Sequence, residues 1–255
     1  FNVDFMGDGL ITYAVDGKVL QQVTDLDGKP LTSAVSNRGT IQADGGQVIL
    51  TAKAASDVFA SVVNSSGLIR AMSLVVRDGK IVLDGGNSGI VSVSGTLDAS
   101  GQGAGEKGGI VQVLGEKVGL FAGASLNVSG DAAGGTVLIG GDFQGKNPDI
   151  PNAQFTYIDK NATVIADALT HGNGGKVIVW SDNTTRAFGS ISARGGAQGG
   201  DGGFVEVSGK QHLVFDANVD RLAPYGSAGM LLLDPTNLTI VAGVASTNVT
   251  LVSPF

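Results

Sequence analysis

Aliphatic and polar residues alternate within a five-residue phrase that recurs along the chain. Each copy begins with glycine or alanine, has an aliphatic third residue and usually a polar fourth residue, as in Ser190-Ile191-Ser192 within residues 189–193. The aliphatic third residues are Ile41, Ile69, Leu97, Leu126, Val164, Ile191 and Val219. Alternation with a period of two predicts a β-strand that buries one of its sides.

The copies are almost evenly spaced, and other strand-like phrases lie between them. Successive aliphatic positions are 28, 28, 29, 38, 27 and 28 residues apart. A second alternating phrase, of the form Gly-x-Val-x-Val, precedes each copy, and a shorter apolar run separates the two. The inward residues predicted for the second phrase are Val48/Leu50, Ile81/Leu83, Val111/Val113, Val137/Ile139, Val177/Val179, Val205/Val207 and Leu231/Leu233. Each step of about 28 residues therefore contains three predicted strands.

Three short strands repeated in register are typical of a solenoid. A lone strand of this length buries little surface and leaves its backbone groups unpaired, whereas stacked equivalent strands pair them and align the aliphatic side chains. The sequence therefore predicts an all-β fold, a right-handed parallel β-helix with three strands per coil of about 28 residues. At about 4.8 Å per stacked strand, the seven repeats would span about 35 Å of axis.

The repeat also divides the chain. Residues 1–36 are the least regular and are interpreted as opening coils that continue an upstream β-helix. Residues 37–229 form the regular β-helix, with an insertion at residues 142–159, and residues 230–255 form a terminal coil or a transition to the next segment. Glycine pairs such as Gly108-Gly109 and Gly134-Gly135 precede strands, where the tolerance of glycine for positive φ would serve the corners of the coil.

Composition narrows the possible partners. The formal net charge is −7, without a cluster of lysine or arginine, which argues against nucleic acid and against an anionic membrane surface. No apolar run approaches the ~20 residues that span a bilayer. Asp25-Leu26-Asp27-Gly28 resembles the start of a calcium loop, but Ser36 occupies the position where glutamate is required, so a β-turn is the favoured interpretation and no metal or cofactor is expected.

The insertion is the main departure from the regular wall and is the predicted contact surface. Insertions in solenoids map to loops, which often carry function. The candidate ligand contacts are Asp142, Phe143, Asp149, Phe155, Tyr157 and Trp180. The alternative, which the pattern leaves open, is a loop whose aromatic residues pack it back onto the coil.

Asparagine occurs repeatedly in Asn-x-Ser/Thr triplets, which accept glycans in some secreted proteins. The candidate glycosylation sites are Asn64, Asn127, Asn161, Asn183, Asn237 and Asn248. Serine and threonine are common in strands and turns, so β-propensity alone accounts for most such triplets.

Several ordered motifs resemble the filamentous-haemagglutinin-like exoproteins of two-partner secretion systems. They are Gly-Gly-Lys-Val-Ile-Val-Trp-Ser-Asp at residues 174–182, Ile-Ser-Ala-Arg-Gly-Gly at 191–196, Gly-Gly-Phe-Val-Glu-Val-Ser-Gly at 202–209, Leu-Leu-Asp-Pro at 232–235 and Asn-Ser-Ser-Gly-Leu-Ile-Arg-Ala at 64–71. The motifs Asn-Pro-Asn-Gly and Asn-Pro-Asn-Leu of that family's secretion signal are not found. The resemblance therefore places the chain in the β-helix that follows the amino-terminal signal.

The resemblance implies a large adhesin on the outer surface of a Gram-negative bacterium or secreted from it. Export would pass through an outer-membrane transporter of the two-partner type, and the rod would attach to cells, matrix polysaccharide or other surfaces, as in a biofilm. Carbohydrate or a surface protein is the expected ligand, with no membrane insertion. The rod is expected to be monomeric, with lateral or end-to-end association as a further option.

Two alternatives to an adhesin remain open: a stalk without a ligand of its own, and a polysaccharide lyase or hydrolase. The second requires two acids close together on an outer face. The outward positions of the repeated phrase are Gln42, Arg70, Asp98, Asn127, Ile165, Ser192 and Asp220, so no two acids are neighbours. We therefore expect a protein that is not an enzyme, without catalytic residues.

Overall fold

The computed structural model describes residues 2–3, 10–21, 23–54 and 60–236, which wind into a solenoid of three parallel sheets. In sheet A, the strands in spatial order are β1 (Asn2–Val3), β2 (Leu10–Val19), β5 (Gln47–Ala54), β8 (Lys80–Asp84), β11 (Ile110–Leu114), β14 (Thr136–Ile139), β17 (Lys176–Ser181), β20 (Phe204–Gly209) and β23 (Met230–Leu232). In sheet B they are β4 (Thr40–Gln42), β7 (Leu68–Arg70), β10 (Thr96–Asp98), β13 (Ser125–Asn127), β16 (Thr163–Ile165), β19 (Ser190–Ser192) and β22 (Asn218–Asp220). In sheet C they are β3 (Ser33–Asn37), β6 (Ser61–Ser65), β9 (Ile90–Val93), β12 (Lys117–Leu120), β15 (Phe155–Ile158), β18 (Thr184–Ala187) and β21 (His212–Phe215).

Equivalent strands of successive coils pair in parallel and in the predicted register. Leu97, for example, lies opposite Ile69 on one side and Leu126 on the other. The exception is β1, a two-residue strand that pairs antiparallel with β2 at the edge of sheet A. The predicted parallel β-helix with three strands per coil is thus confirmed, and the helices of the described residues are single 3-10 turns at Gly86–Ser88 and Phe143–Gly145.

The core is the set of inward columns that the alternation predicts. The inward residues of β8, β11, β14, β17 and β20 are fully buried, as are Ile69, Leu97, Leu126 and Val164 of sheet B. Ile41 and Val219 are only half-buried because they belong to the first and last strands of sheet B, which pair on one side only. Stacking, rather than packing between separate layers, therefore supplies the hydrophobic stabilisation.

The glycine pairs have a different cause from the one predicted. Among the pairs before strands, Gly45 has a positive φ of 71°, but Gly109 and Gly135 do not. A Cβ at Gly109 would lie 2.2 Å from the carbonyl oxygen of Gly79, and a Cβ at Gly135 would lie 2.1 Å from that of Gly109. These glycines are needed because the backbones of adjacent coils approach closely at this corner, so the predicted role in positive φ is wrong for them.

The predicted insertion contains a loop followed by a regular strand. Residues 155–158 form β15 of sheet C, so the irregular part ends at Gln154. The first regular strand of sheet C, β3, begins at Ser33 within the opening segment, and β23 extends sheet A into the terminal segment. The end of that segment, residues 237–255, lies outside the described residues.

Candidate functional site

The loop at residues 142–154 folds over the outer face of sheet A. Trp180 on β17 is only 4% exposed and packs with Ile178 of the same strand and Leu138 of the adjacent β14. Ile150 of the loop packs against this group. The indole Nε1 of Trp180 donates a hydrogen bond of 3.1 Å to Asp182 Oδ1. The loop therefore covers part of the outer face of sheet A, and the residues beneath it form a second, small hydrophobic core.

The loop backbone lies directly against the indole ring. A Cβ at Gly145 would lie 2.5 Å from Trp180 Nε1, and Gly145 also has a positive φ of 61°. A Cβ at Gly141 would lie 2.8 Å from Cδ1 of the same ring. Glycine is required at both positions, since any side chain would lift the loop from the tryptophan.

Two polar contacts hold the start of the loop. The Nζ of Lys176 lies 2.8 Å from Asp142 Oδ1. The backbone N–H of Gln144 donates to both carboxylate oxygens of Glu206, at 3.2 and 3.3 Å. Although burial opposes its ionisation, the pKa of Asp142 lies below its ordinary value because Asn147, Lys176 and the backbone of Phe143 donate hydrogen bonds to it.

Glu206 lies under the loop and is fully buried. It stands opposite Ile178 of β17 and Leu232 of β23, both apolar, in the outward column of sheet A. Burial raises the pKa of Glu206 from 4.5 to about 7, with a smaller upward contribution from nearby Asp234. Hydrogen bonds from Gln144 and Ser208 and the charge of Lys176 oppose that rise.

A groove lies on the outer face of sheet C, where residues of β9, β12, β15 and β18 line it. It has a volume of about 350 Å³ and a mostly apolar lining that includes Phe121, Phe155 and Tyr157. Phe121 and Phe155 are each 43% exposed. The ring centroids of Phe121 and Tyr157 are 5.8 Å apart, and those of Tyr157 and Phe188 are 6.1 Å apart. These rings form an aromatic stripe along the solenoid axis.

A glycine shapes the floor of this groove. Gly119 of β12 lies opposite Tyr157 of β15, and a Cβ at Gly119 would lie 2.6 Å from Cε2 of Phe121. The missing side chain lets the Phe121 ring fold back over its own strand and lie beside Tyr157. The groove thus depends on one small residue in an outward column of larger ones.

Charged side chains border the aromatic stripe. Lys117 and Arg186 line the groove, and both are exposed and make no ion pair within the described part of the chain. The hydroxyl of Tyr157 donates a 3.0 Å hydrogen bond to Asp159. The pKa of Tyr157 is raised by burial and by the Asp159 carboxylate, so the phenol is protonated at neutral pH.

The structure divides the six predicted contact residues between two faces. Phe155 and Tyr157 line the groove on sheet C. Asp142 and Trp180 bind the loop to sheet A, where Trp180 is buried. The remaining two are exposed on the loop: Phe143, whose ring lies 5.7 Å from that of Phe204, and Asp149.

Sequence reasoning missed half of the groove. Phe121, Lys117 and Arg186 were not among the candidates, although the two charged residues occupy outward positions in the strand alternation. Aligning β12, β15 and β18 in register would have placed Lys117 beside Phe155 and Arg186 beside Tyr157. Such a surface is predicted by aligning the outward residues of successive coils, and no local motif indicates it.

The structure also shows where four of the six candidate glycosylation sites lie. Asn161 is exposed at a turn, Asn64 and Asn183 are half-buried, and Asn127 accepts hydrogen bonds from Ser129. Asn237 and Asn248 lie outside the described residues. Within the described ranges, no group of three or more histidine or acidic side chains is arranged to hold a metal ion.

The predicted outward column of sheet B is confirmed by the strand register. Arg70 lies beside Asp98, Asp98 beside Asn127, and Ser192 beside Asp220, so acids are not neighbours in this column. Instead, the ion pairs of this face join strands to corners, as between Arg70 and Asp44 at 2.7 Å. Among the described residues, no helix is long and apolar enough to cross a membrane.

The described residues thus form a solenoid of parallel sheets with a docked loop on sheet A and an aromatic groove on sheet C. The chain matches no protein-family model and no curated protein sequence. Among solved structures it is similar to the HMW1 secretion domain from Haemophilus influenzae, with 30% sequence identity and a TM-score of 0.59 over 78% of this chain. The chain spans about half of that structure's length, 49%. The resemblance to exoproteins of two-partner secretion that the motifs indicated is confirmed by this match.

Proposed function

We propose that this chain is a β-helix segment of a surface-exposed or secreted adhesin of a Gram-negative bacterium. The observation that carries the proposal is the similarity to the HMW1 secretion domain, in sequence as well as in fold. The export partner is an outer-membrane transporter of the two-partner type. A parallel β-helix suits this route because its coils can be added one at a time as the chain emerges, each pairing with the coil before it.

Adhesion in this proposal is assigned to the groove on sheet C. Exposed aromatic rings beside charged side chains are the features that distinguish binding patches from ordinary surface. The outward column of sheet B, by contrast, is polar except for Ile165. The groove therefore contacts carbohydrate or a surface protein, and the remaining coils act as a spacer.

Export is tested by producing the protein in its full-length context in Gram-negative cells with and without its transporter. The expected result is that the chain appears outside the cell only when the transporter is present, and that external protein is folded and protease-resistant. Equal external amounts in both strains would contradict the proposed route.

Adhesion is tested separately, with beads coated with the purified chain and applied to cells and to matrix polysaccharide. Phe155→Ala is expected to reduce bead attachment, because it removes an exposed ring from the groove. Leu169→Ala is the matched control, since Leu169 has the same 43% exposure but lies outside the groove. Equal attachment by both variants would remove the groove from the proposal and favour a stalk without a ligand of its own.

A further inference from the structure

We propose that the groove on sheet C binds an anionic polysaccharide, with uronic-acid units as its ligand class. This inference rests on the proposed adhesive function and specifies its ligand. It is carried by one juxtaposition: an apolar floor of aromatic rings lies between two cations that make no ion pair with any described residue, on a protein whose net charge is −7.

The floor fits the apolar face of a sugar ring. The C–H groups on one face of a pyranose form an apolar surface that stacks on aromatic rings, and Phe121 and Phe155 each leave 43% of their surface exposed for such contact. The rings of Phe121, Tyr157 and Phe188 follow one another along the solenoid axis at spacings of 5.8 and 6.1 Å. A row of this kind suits a linear polymer better than a single compact molecule.

The cations indicate that the polymer is acidic. Lys117 pairs in register with Phe155, Phe155 with Thr184, and Arg186 follows Thr184 by two residues. With strands about 4.8 Å apart and residues about 3.3 Å apart along a strand, the Cα atoms of Lys117 and Arg186 are about 12 Å apart. The aromatic side chains lie between them, so carboxylates along one chain can reach both cations.

The acid that is hydrogen-bonded to the aromatic stripe makes no ion pair with either cation. Asp159 accepts hydrogen bonds from the Tyr157 hydroxyl and from the backbone N–H of Asn161. Its pKa lies below its ordinary value, chiefly because of the bond from Asn161. Asp159 therefore orients Tyr157, and among the described residues it forms no ion pair with Lys117 or Arg186.

A polysaccharide is favoured over an acidic peptide by the shape and chemistry of the floor. A volume of about 350 Å³ lies at the lower end of ligand sites, and the row of rings along the axis suits flat sugar rings laid in sequence. An extended peptide would bind by adding a strand to a sheet edge. The strands that contribute to the groove, β9, β12, β15 and β18, are interior strands already paired on both sides.

Binding is tested by titrating the purified chain with polygalacturonate oligomers. Two comparison probes are used: the carboxyl-reduced form of the same oligomers, and poly-glutamate of similar length. We expect binding to polygalacturonate and at least about tenfold weaker binding to both comparison probes, because one charge-assisted contact corresponds to about a tenfold change in affinity. No binding to polygalacturonate, or equal binding of the reduced form or of poly-glutamate, would overturn the proposal.

Variants locate the site. Lys117→Gln and Arg186→Gln are each expected to weaken polygalacturonate binding about tenfold, and Phe155→Ala by a similar factor. Lys80→Gln is the charge control, since Lys80 is an outward cation on sheet A. Affinity unchanged in the three groove variants, or reduced as much by the control, would place any binding elsewhere.

A further variant tests the shape of the groove without removing charge. Gly119→Ala is expected to displace the Phe121 ring and weaken binding, because the new Cβ would lie 2.6 Å from that ring. Unchanged affinity in this variant would show that the aromatic stripe does not contribute. Failure of all saccharide binding would leave the proposed export route standing, since export is read from transporter-dependent secretion.

Discussion

Replacing Glu206 with glutamine should change how the stability of this solenoid depends on pH. Glu206 is fully buried beneath the loop, and burial raises its pKa from 4.5 to about 7. A carboxyl whose pKa is raised by this amount on folding makes the ionised form unfavourable in the folded state by about 3 kcal/mol. That is a large fraction of the free energy of unfolding of a typical domain.

The direction of this pH dependence follows from whether the folded or the unfolded chain binds the proton of Glu206. Between pH 4.5 and about 7 the folded chain binds the proton of Glu206 and the unfolded chain has lost it, so stability from this group decreases as pH rises through that window. Asp142 acts in the opposite direction, because its lowered pKa adds stability above its ordinary value of 3.8 that is lost in acid. Only a comparison of variants isolates Glu206.

Urea unfolding at pH 5 and pH 8 gives the required comparison. Trp180 is the single tryptophan of the chain and packs under the same loop, so its fluorescence reports the relevant region. Glu206→Gln should gain about 2 to 3 kcal/mol over the wild type between pH 5 and pH 8. Glu116→Gln, at a half-exposed position, is the control and should show no such gain. A difference between Glu206→Gln and wild type that stays constant with pH would refute the assignment of a buried neutral acid.

The remaining predictions concern the loop, the corners and the inner columns. Trp180→Ala should lower stability by about 3 to 5 kcal/mol and make residues 142–154 sensitive to protease, because it removes the centre of the small outer core. Gly135→Ala should destabilise the fold by more than about 1 kcal/mol, measured as a lower urea midpoint, because its Cβ would lie 2.1 Å from a carbonyl oxygen of the previous coil. Gly39→Ala is the control and should be nearly neutral, because a Cβ there meets nothing within 4 Å. Equal effects of the two substitutions would contradict the close-approach explanation. Leu126→Ala should cost about 2 to 5 kcal/mol in thermal or urea unfolding, whereas the outward neighbour Ser125→Ala should change little; a mild effect at Leu126 would show that the column can collapse around the gap.

The coil was predictable because its signal is local and repeated. Leu97 and Val111 are buried where the alternation places them, and each repeat supplies an independent reading of the same pattern. The glycine pairs were located correctly but explained wrongly, since a close approach between coils depends on residues about 28 positions away and leaves no mark in the local sequence. Phe155 and Tyr157 were found as aromatic residues of an insertion, whereas Phe121 was missed because it stands in an ordinary coil.

Sequence by itself determined the solenoid, its three sheets and its inner columns, because a period of two within strands and of about 28 between coils fixes which side chains face inward. Only the tertiary structure decided which outward residues lie together. It buried Trp180 and Glu206 under a loop that the pattern shows only as an interruption. It also assembled the groove from successive coils, by bringing together Lys117, Phe155 and Arg186, which are far apart in the sequence. The physical reason is that inward residues obey one shared constraint, exclusion of water, whereas each outward residue depends on which neighbours the winding places beside it.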